Sequence, residues 1–127
     1  MDTAADGNCQ FRAFSVELFG TENHHQQIRT VAVAWLAEHR ATYSGFVGEE
    51  NDWQKYLTRM LAPGTWGDEL TLRAVSEAYG VAVHVVTSER DYFNIVYEPK
   101  EARAPYRHAF LAYISPIHYS SVQIQEE

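Results

Sequence analysis

The sequence predicts an α+β domain in which a β-sheet, formed mostly by the C-terminal part, packs between helices. Helical periodicity dominates from Cys9 to Gly80, and strand patterns dominate after Gly80. Helices first and strands second are the pattern of an α+β domain. The chain has 127 residues, of which 46% are hydrophobic, and this is enough to build one core. We therefore expect residues 1–127 to form a single domain.

The formal charge of the chain is -7, and its basic residues are scattered rather than clustered. This argues against nucleic acid or an anionic membrane as partner and mildly favours a basic partner, although simple solubility also explains it. No apolar run approaches the length of a membrane span. Residues 1–8 lack the pattern of a secretory signal, and a single cysteine cannot form an internal disulfide. These features predict an intracellular, cytoplasmic protein.

Four helices account for the first part of the chain. Their predicted bounds are Cys9 to about Gly20, about 25–43, a third from Asn51 or Asp52, and a fourth from Asp68 to Gly80. In the second helix the apolar stripe is formed by Ile28, Val31, Trp35 and Leu36, which leaves Arg29 largely outside it. The third helix places Trp53, Tyr56, Leu57 and Met60 on one face.

Four strands are expected after Gly80, over residues 81–87, 92–97, 107–114 and 118–123. The first of them is a continuous β-branched run, which is typical of a central strand covered on both faces. Between the third and fourth helices, residues 62–67 form a loop that presents Trp66 close to two glycines.

The stretch 6–12 contains the only cysteine, Cys9. Asp-Gly and Gly-Asn dipeptides favour a turn, so Cys9 lies where a loop meets a helix N-terminus. The positive end of the helix dipole stabilises a thiolate and lowers a cysteine pKa. Cys9 is therefore a candidate nucleophile, with a spectator thiol as the alternative.

A thiol nucleophile needs a base, and six histidines are available. We prefer His118, because it begins a strand just after Pro116 and shares a strand face with Ser120. A buried histidine at a strand end is the alternative. The others have simpler explanations: surface positions for His24 and His25, a helix end for His39, the sheet for His84, and a strand start without an obvious partner for His108.

Three separated motifs together resemble the ovarian tumour (OTU) family of deubiquitinating cysteine proteases, especially its plant-type members. The stretch 6–12 resembles the cysteine motif of that family, and residues 118–121, His-Tyr-Ser-Ser, resemble its histidine motif. Residues 64–80 are similar to the middle segment. The resemblance spans nearly the whole chain in the right order, and it implies the OTU-type cysteine protease fold.

The resemblance implies roles for the residues of the two end motifs. Cys9 would attack the carbonyl of the C-terminal glycine of ubiquitin and form a thioester, and His118 would protonate the leaving amine. Asp6 would fix the cysteine loop, in which Gly7 and Asn8 help to form the oxyanion hole.

Position 120 departs from the family pattern. OTU proteases usually carry Asn or Asp two residues after the histidine, and this chain has Ser120. A serine hydroxyl accepts the imidazole N–H but holds the ring less firmly. Ser120 therefore serves weakly, or Asp2 or Asp6 contributes, or the enzyme is slow.

The substrate groove implied by the resemblance involves Trp66, Gly67 and Tyr119, which would wall the extended Gly-Gly tail of ubiquitin. A Trp66 that plugs the core is the alternative. The implied partner is ubiquitin, polyubiquitin or a ubiquitin-like protein, with no nucleic acid, membrane, cofactor or metal. Two other functions stay open: a catalytically weak or inactive OTU module that binds ubiquitin, and a thiol hydrolase or acyltransferase acting on another substrate.

Overall fold

The computed structural model describes residues 7–87, 94–100, 107–114 and 118–121. Helices come first and strands second, as predicted. The helices are α1 (Cys9–Phe19), α2 (His25–Glu38), α3 (Arg40–Tyr43), α4 (Glu50–Leu61) and α5 (Glu69–Tyr79), with 3₁₀ turns at Glu22–His24 and Ser44–Phe46. The strands are β1 (Val81–Thr87), β2 (Asn94–Tyr97), β3 (Arg107–Ile114) and β4 (His118–Ser121).

The four strands form one mixed sheet in the order β2-β1-β3-β4. β1 pairs antiparallel with β2 and parallel with β3, and β3 pairs antiparallel with β4. The predicted α+β class is confirmed, and β1 is an inner strand, as its apolar sequence indicated.

The two faces of the sheet differ in burial. On one face Val81, Val83, Val85, Ala109 and Leu111 are all at most 5% exposed and join the core formed by the helices. On the other face Val86 is 36% exposed and Val96 is 41% exposed. The expectation that β1 is covered on both faces is therefore wrong for the end of the strand at Val86.

Helix α2 ends earlier than predicted. The expected helix over 25–43 is interrupted at His39, whose φ of -115° and ψ of 38° leave the helical region. The His39 ring bonds the carbonyl oxygen of Trp35 at 2.9 Å and stacks on the Trp35 ring, which stabilises the break. The chain then resumes as the single turn α3.

The apolar stripe of α2 is also rotated from the prediction. Ile28 and Leu36 are buried as expected, but Val31 and Trp35 are only partly buried. Three further residues of α2 are buried, and one of them is charged: Arg29, Ala32 and Val33.

The N-terminus of α5 has the predicted side-chain cap, and the N-terminus of α4 does not. Helix α4 is preceded by Glu49, which makes no side-chain cap hydrogen bond, so the expected caps at Asn51 and Asp52 are wrong. Asp68 caps α5 as predicted, because its carboxylate accepts from the Thr71 N–H while the Thr71 hydroxyl accepts from the Asp68 N–H. Gly20 and Gly80 end α1 and α5 in the left-handed conformation.

No helix in the described part of the chain is both long and apolar enough to cross a membrane. The core residues of α1, α2, α4, α5, β1 and β3 form one continuous cluster. That residues 1–127 make up one domain stays a prediction.

Candidate active site

Cys9 is the first residue of α1, as the sequence predicted. Its side chain is 0% exposed, and the first turn of α1 contains no acidic residue. The residue before it, Asn8, makes no side-chain cap hydrogen bond with the helix. The buried thiol therefore lies at the positive end of the helix dipole, with no carboxylate in the first turn to offset it.

The side chain of Asn8 makes tertiary contacts instead of capping α1. Its Oδ1 accepts hydrogen bonds from the N–H of Gly64 and from Nη2 of Arg29, both at 2.8 Å. These contacts tie the cysteine loop (residues 7–9) to the tryptophan loop (residues 62–68). The oxyanion role of Asn8 stays a prediction.

Arg29 is the residue that the sequence prediction missed. The side chain is 0% exposed, although we expected it outside the apolar stripe of α2. Its Nη1 donates to the carbonyl oxygen of Met60 at 2.8 Å, and its Nη2 donates to those of Gly7 at 3.1 Å and Thr65 at 2.7 Å. One guanidinium thus joins α2, α4 and both loops.

The aromatic surroundings of Arg29 are consistent with its burial. Its guanidinium carbon lies 4.4 Å from the centre of the Phe11 ring, within cation–π distance. A sequence signal for this burial exists, because Arg29, Val33 and Leu36 are spaced i, i+4, i+7. Arginine is almost never fully buried unless it is paired, so this spacing alone does not predict the burial of Arg29.

Gln10 attaches the other side of the cysteine motif to α5. It is 0% exposed, donates from Nε2 to the carbonyl oxygen of Asp68 at 3.3 Å, and accepts from the Thr71 hydroxyl at 2.6 Å. Residues 7–10 therefore bond to the chain both before and after Trp66. The two loops form one connected unit.

Two glycines of the predicted site are required by close packing. A Cβ on Gly7 would overlap the carbonyl group of Gly64. A Cβ on Gly67 would lie 2.5 Å from Oε1 of Gln10, which is closer than real Cβ atoms approach. Gly7 and Gly67 thus let the cysteine and tryptophan loops approach each other.

Trp66 lies on the surface beside this unit, with 40% of its side chain exposed. The alternative of a tryptophan that plugs the core is therefore wrong. Gly64, two residues before Trp66, donates to Asn8, and Gly67, directly after it, lies against the side chain of Gln10, so Trp66 is positioned next to the loop that carries Cys9. This placement suits the predicted wall of a substrate groove.

The strand that begins with His118 lies next to the helix that begins with Cys9. Helix α1 packs against both β3 and β4. In the ladder, His118 lies opposite Ile114, Tyr119 opposite Tyr113 and Ser120 opposite Ala112. The structure describes β4 by its backbone, and Asp6 lies outside the described residues. The catalytic roles of His118, Ser120, Tyr119 and Asp6 stay predictions.

Two of the other histidines form a pair on the sheet. Nε2 of His84 lies 2.8 Å from Nδ1 of His108, so the expectation that His108 lacks a partner is wrong. Burial, followed by the neighbouring His108, lowers the pKa of His84 below its ordinary value. Phe110 stacks on the His84 ring, which completes an aromatic cluster.

Metal ligands do not gather in the described residues: no group of three or more His, Cys, Asp and Glu side chains there could hold an ion. The described part of the site thus offers a thiol, backbone donors and buried polar side chains.

Residues 4–119 match the family model of OTU-like cysteine proteases. The chain belongs to this OTU family. The OVARIAN TUMOR DOMAIN-containing deubiquitinating enzyme 10 of Arabidopsis thaliana is 34% identical over an alignment of 124 residues that covers 96% of this chain. The chain spans 33% of the length of that relative.

Solved OTU domains share the architecture of this one. The OTU domain of OTUD1 superimposes with a TM-score of 0.85 at 21% identity, covering 98% of this chain and 84% of that chain. An ovarian tumour (OTU) domain solved in complex with ubiquitin gives a TM-score of 0.78 at 16% identity, covering 95% of this chain and 66% of that chain. The predicted OTU-type fold is confirmed.

Proposed function

We propose that this OTU domain is a deubiquitinating cysteine protease. It cleaves the peptide or isopeptide bond after the C-terminal glycine of ubiquitin or a ubiquitin-like protein. The observation that carries the proposal is the placement of Cys9 at the N-terminus of α1, a helix that packs against the strand that begins with His118. Family membership and a relative named as a deubiquitinating enzyme support it.

The reaction proceeds by nucleophilic catalysis in two stages. The Cys9 thiolate attacks the glycine carbonyl carbon, and the tetrahedral intermediate collapses as the C–N bond breaks. His118 delivers a proton to the departing amine, which leaves as the free lysine or N-terminal amine. Water, deprotonated by His118, then hydrolyses the thioester and regenerates the thiol.

The charge that develops on the carbonyl oxygen is stabilised by backbone donors. In this proposal they are the N–H groups of Cys9 and of the preceding Gly7-Asn8 segment, and Asp6 fixes that segment. Each such donor contributes about 3–4 kcal/mol of transition-state stabilisation. The contacts of Asn8 and Gly7 with Arg29 support this role, because they hold the loop in one conformation.

The substrate groove is formed by Trp66, Gly67 and Tyr119, and the two aromatic rings wall the extended tail. The exposed position of Trp66 beside the cysteine loop supports this assignment. Ubiquitin as the partner is supported by the solved OTU domain in complex with ubiquitin, which shares this fold. The protein acts inside the cell, where its single thiol stays reduced, and it has no nucleic-acid or membrane partner.

A panel of diubiquitins of different linkages tests this function. Wild-type protein is expected to cleave at least one linkage, whereas Cys9→Ala and His118→Ala leave all of them intact. His108→Ala is the matched control, because it removes a strand histidine away from the proposed site and should leave cleavage unchanged. A folded wild-type protein that cleaves no ubiquitin conjugate would contradict the proposal.

A second candidate is an OTU module that binds ubiquitin with weak or no catalysis. Ser120 favours it, since the family usually places Asn or Asp at that position to orient the histidine. Titration of Cys9→Ala with ubiquitin, beside turnover of the wild type, separates the two functions. Tight binding without turnover by the wild type would support the second.

A further inference from the structure

We infer that Arg29 is a positioning residue for the oxyanion hole, which it holds in register with the substrate groove. The inference rests on the proposed function and extends it to a residue of α2. Among the described residues, the hydrogen bonds of Arg29 with Met60, Gly7, Asn8 and Thr65 each join it to a segment at least 21 residues away in sequence. A buried guanidinium with such partners fixes tertiary geometry more than it stabilises its own helix.

The peptide bond between Gly7 and Asn8 carries the first of the two proposed backbone donors, the N–H of Asn8. Arg29 holds the carbonyl oxygen of Gly7 at 3.1 Å. Because a trans peptide is planar, its N–H points opposite to its carbonyl oxygen. The direction of the Asn8 N–H is therefore set by Arg29 and is turned away from the buried guanidinium.

The next peptide bond, between Asn8 and Cys9, carries the second donor, the N–H of Cys9. The carbonyl oxygen of Asn8 accepts from the N–H of Arg12 at 2.9 Å, which is the first hydrogen bond of α1. The same planarity fixes the direction of the Cys9 N–H. Two successive N–H groups are thus oriented before substrate arrives, one by Arg29 and one by the helix. Fixed donors of this kind are what an oxyanion hole requires.

Arg29 also links these two donors to the proposed substrate groove. The same Nη2 that holds Gly7 also bonds the Asn8 side chain at 2.8 Å and the carbonyl oxygen of Thr65 at 2.7 Å. Thr65 precedes Trp66, so this one nitrogen sets the distance between the cysteine loop and the tryptophan loop. A lysine ammonium is a single point on a flexible stem and cannot reproduce the planar fork that also reaches Met60.

The experiment compares two reactions of Cys9 in Arg29→Lys and Asn8→Ala, with Arg73→Lys on the surface of α5 as the matched control. The first is hydrolysis of a ubiquitin C-terminal amide, which passes through an oxyanion. The second is alkylation by chloroacetamide, in which the thiolate displaces chloride and no oxyanion forms. Thermal unfolding of each variant establishes that it is folded.

We expect kcat for Arg29→Lys to fall about 100-fold, the effect typical of a lost oxyanion donor. The rate of alkylation should not fall, because the thiolate and its histidine are not changed. Asn8→Ala loses one of the linked contacts and should show a smaller fall in kcat. The double variant should lose less than the product of the two single effects, since both residues act on one loop.

Several outcomes overturn the inference. A folded Arg29→Lys with wild-type kcat would do so, and so would parallel losses of hydrolysis and alkylation, which would place the defect in the thiolate. If Arg29→Lys does not fold, Asn8→Ala serves as the test. A fall in its hydrolysis rate without a fall in its alkylation rate supports the inference, and equal changes in the two rates contradict it. If chloroacetamide alkylates the wild type but the wild type hydrolyses no ubiquitin amide, the proposed function is contradicted, and so is the inference that rests on it. If the wild type is active and Arg29→Lys has the same kcat, only the inference about Arg29 is contradicted.

Discussion

The two halves of the proposed catalytic pair are positioned by different kinds of contact. Cys9 belongs to a loop held by buried side chains, Arg29 and Gln10, that bond backbone and side-chain groups up to 61 residues away. His118 belongs to a strand whose backbone pairs with β3, opposite Ile114. Single side chains therefore control the nucleophile side, whereas the register of a β-ladder controls the histidine side.

The largest loss of stability and turnover is expected from Gly7→Ala, a substitution in the loop that carries Cys9. The added Cβ overlaps the carbonyl group of Gly64, so the cysteine and tryptophan loops must separate. We expect a loss of about 3 kcal/mol in the free energy of unfolding and at least about a 100-fold loss in turnover. Urea unfolding and turnover of a ubiquitin amide measure the two effects.

The control for this substitution is Gly45→Ala, because a Cβ at Gly45 meets nothing within 4 Å. It should be nearly neutral in both measurements. If Gly7→Ala were equally neutral, the two loops would not be in contact in solution, and the comparison between the two halves would fail.

A smaller effect is expected from Asp68→Ala, which removes the cap of α5 next to the tryptophan loop. The Asp68 carboxylate also accepts from the hydroxyl of Tyr56 at 2.8 Å. Burial, and then the neighbouring Asp68, raises the pKa of Tyr56, so the phenol stays protonated and loses its acceptor in the variant. We expect a loss of about 2 kcal/mol in the free energy of unfolding, from the cap and from this bond together.

Asp68→Asn separates the contribution of the two hydrogen bonds from that of the negative charge, because the asparagine side-chain oxygen still accepts from Thr71 and Tyr56 but carries no charge. Chemical denaturation should place it between the wild type and Asp68→Ala. Equal losses in both variants would show that charge, rather than hydrogen bonding, stabilises this helix end.

The histidine side is tested by Ser120. If its hydroxyl orients the His118 ring weakly, Ser120→Asn should raise kcat and Ser120→Ala should lower it. Each change should amount to about 1 kcal/mol, or roughly fivefold in rate. Steady-state kinetics that leave kcat unchanged in both variants would mean that another group, such as Asp6, orients the ring.

The smallest effect concerns the His84–His108 pair, away from both halves. Because the pKa of His84 is lowered in the folded protein, the unfolded chain binds more protons between that pKa and the ordinary value of about 6.5. Stability is therefore lost as the pH falls through about 6.5, and the loss levels off below the folded-state pKa. His84→Gln should lose less stability than the wild type between about pH 7.5 and about pH 5.5.

Equilibrium unfolding of the two proteins at both pH values measures this difference. Carboxylates also respond to acid, but they are common to both proteins and cancel in the comparison. A pH dependence that is identical in wild type and His84→Gln would show that His84 does not contribute.

The sequence predicted the fold well where local signals act alone. The Asp68 cap, the left-handed ends at Gly20 and Gly80, and the start of β1 are each determined by a few neighbouring residues. Cys9 could be placed at the helix start for the same reason, because a Gly-Asn turn precedes an apolar i, i+3, i+7 pattern.

The sequence failed where tertiary contacts override local preference. Arg29 is a charged residue that is buried because backbone carbonyl groups of three distant segments surround it, and no local pattern encodes those carbonyl groups. His39 ends α2 through contacts with Trp35, although the surrounding sequence continues to favour a helix. The His84–His108 pair depends on the register of two parallel strands far apart in sequence.

The central claim is that Cys9 is the nucleophile and that His118 activates it. Its most direct test is labelling by a ubiquitin that carries an electrophile at its C-terminus, followed by intact mass and peptide mapping. We predict a single adduct on Cys9 of the wild type and of His108→Ala, and none on Cys9→Ala or His118→Ala. A folded wild-type protein that forms no adduct, or a His118→Ala variant labelled as fast as the wild type, would contradict the claim.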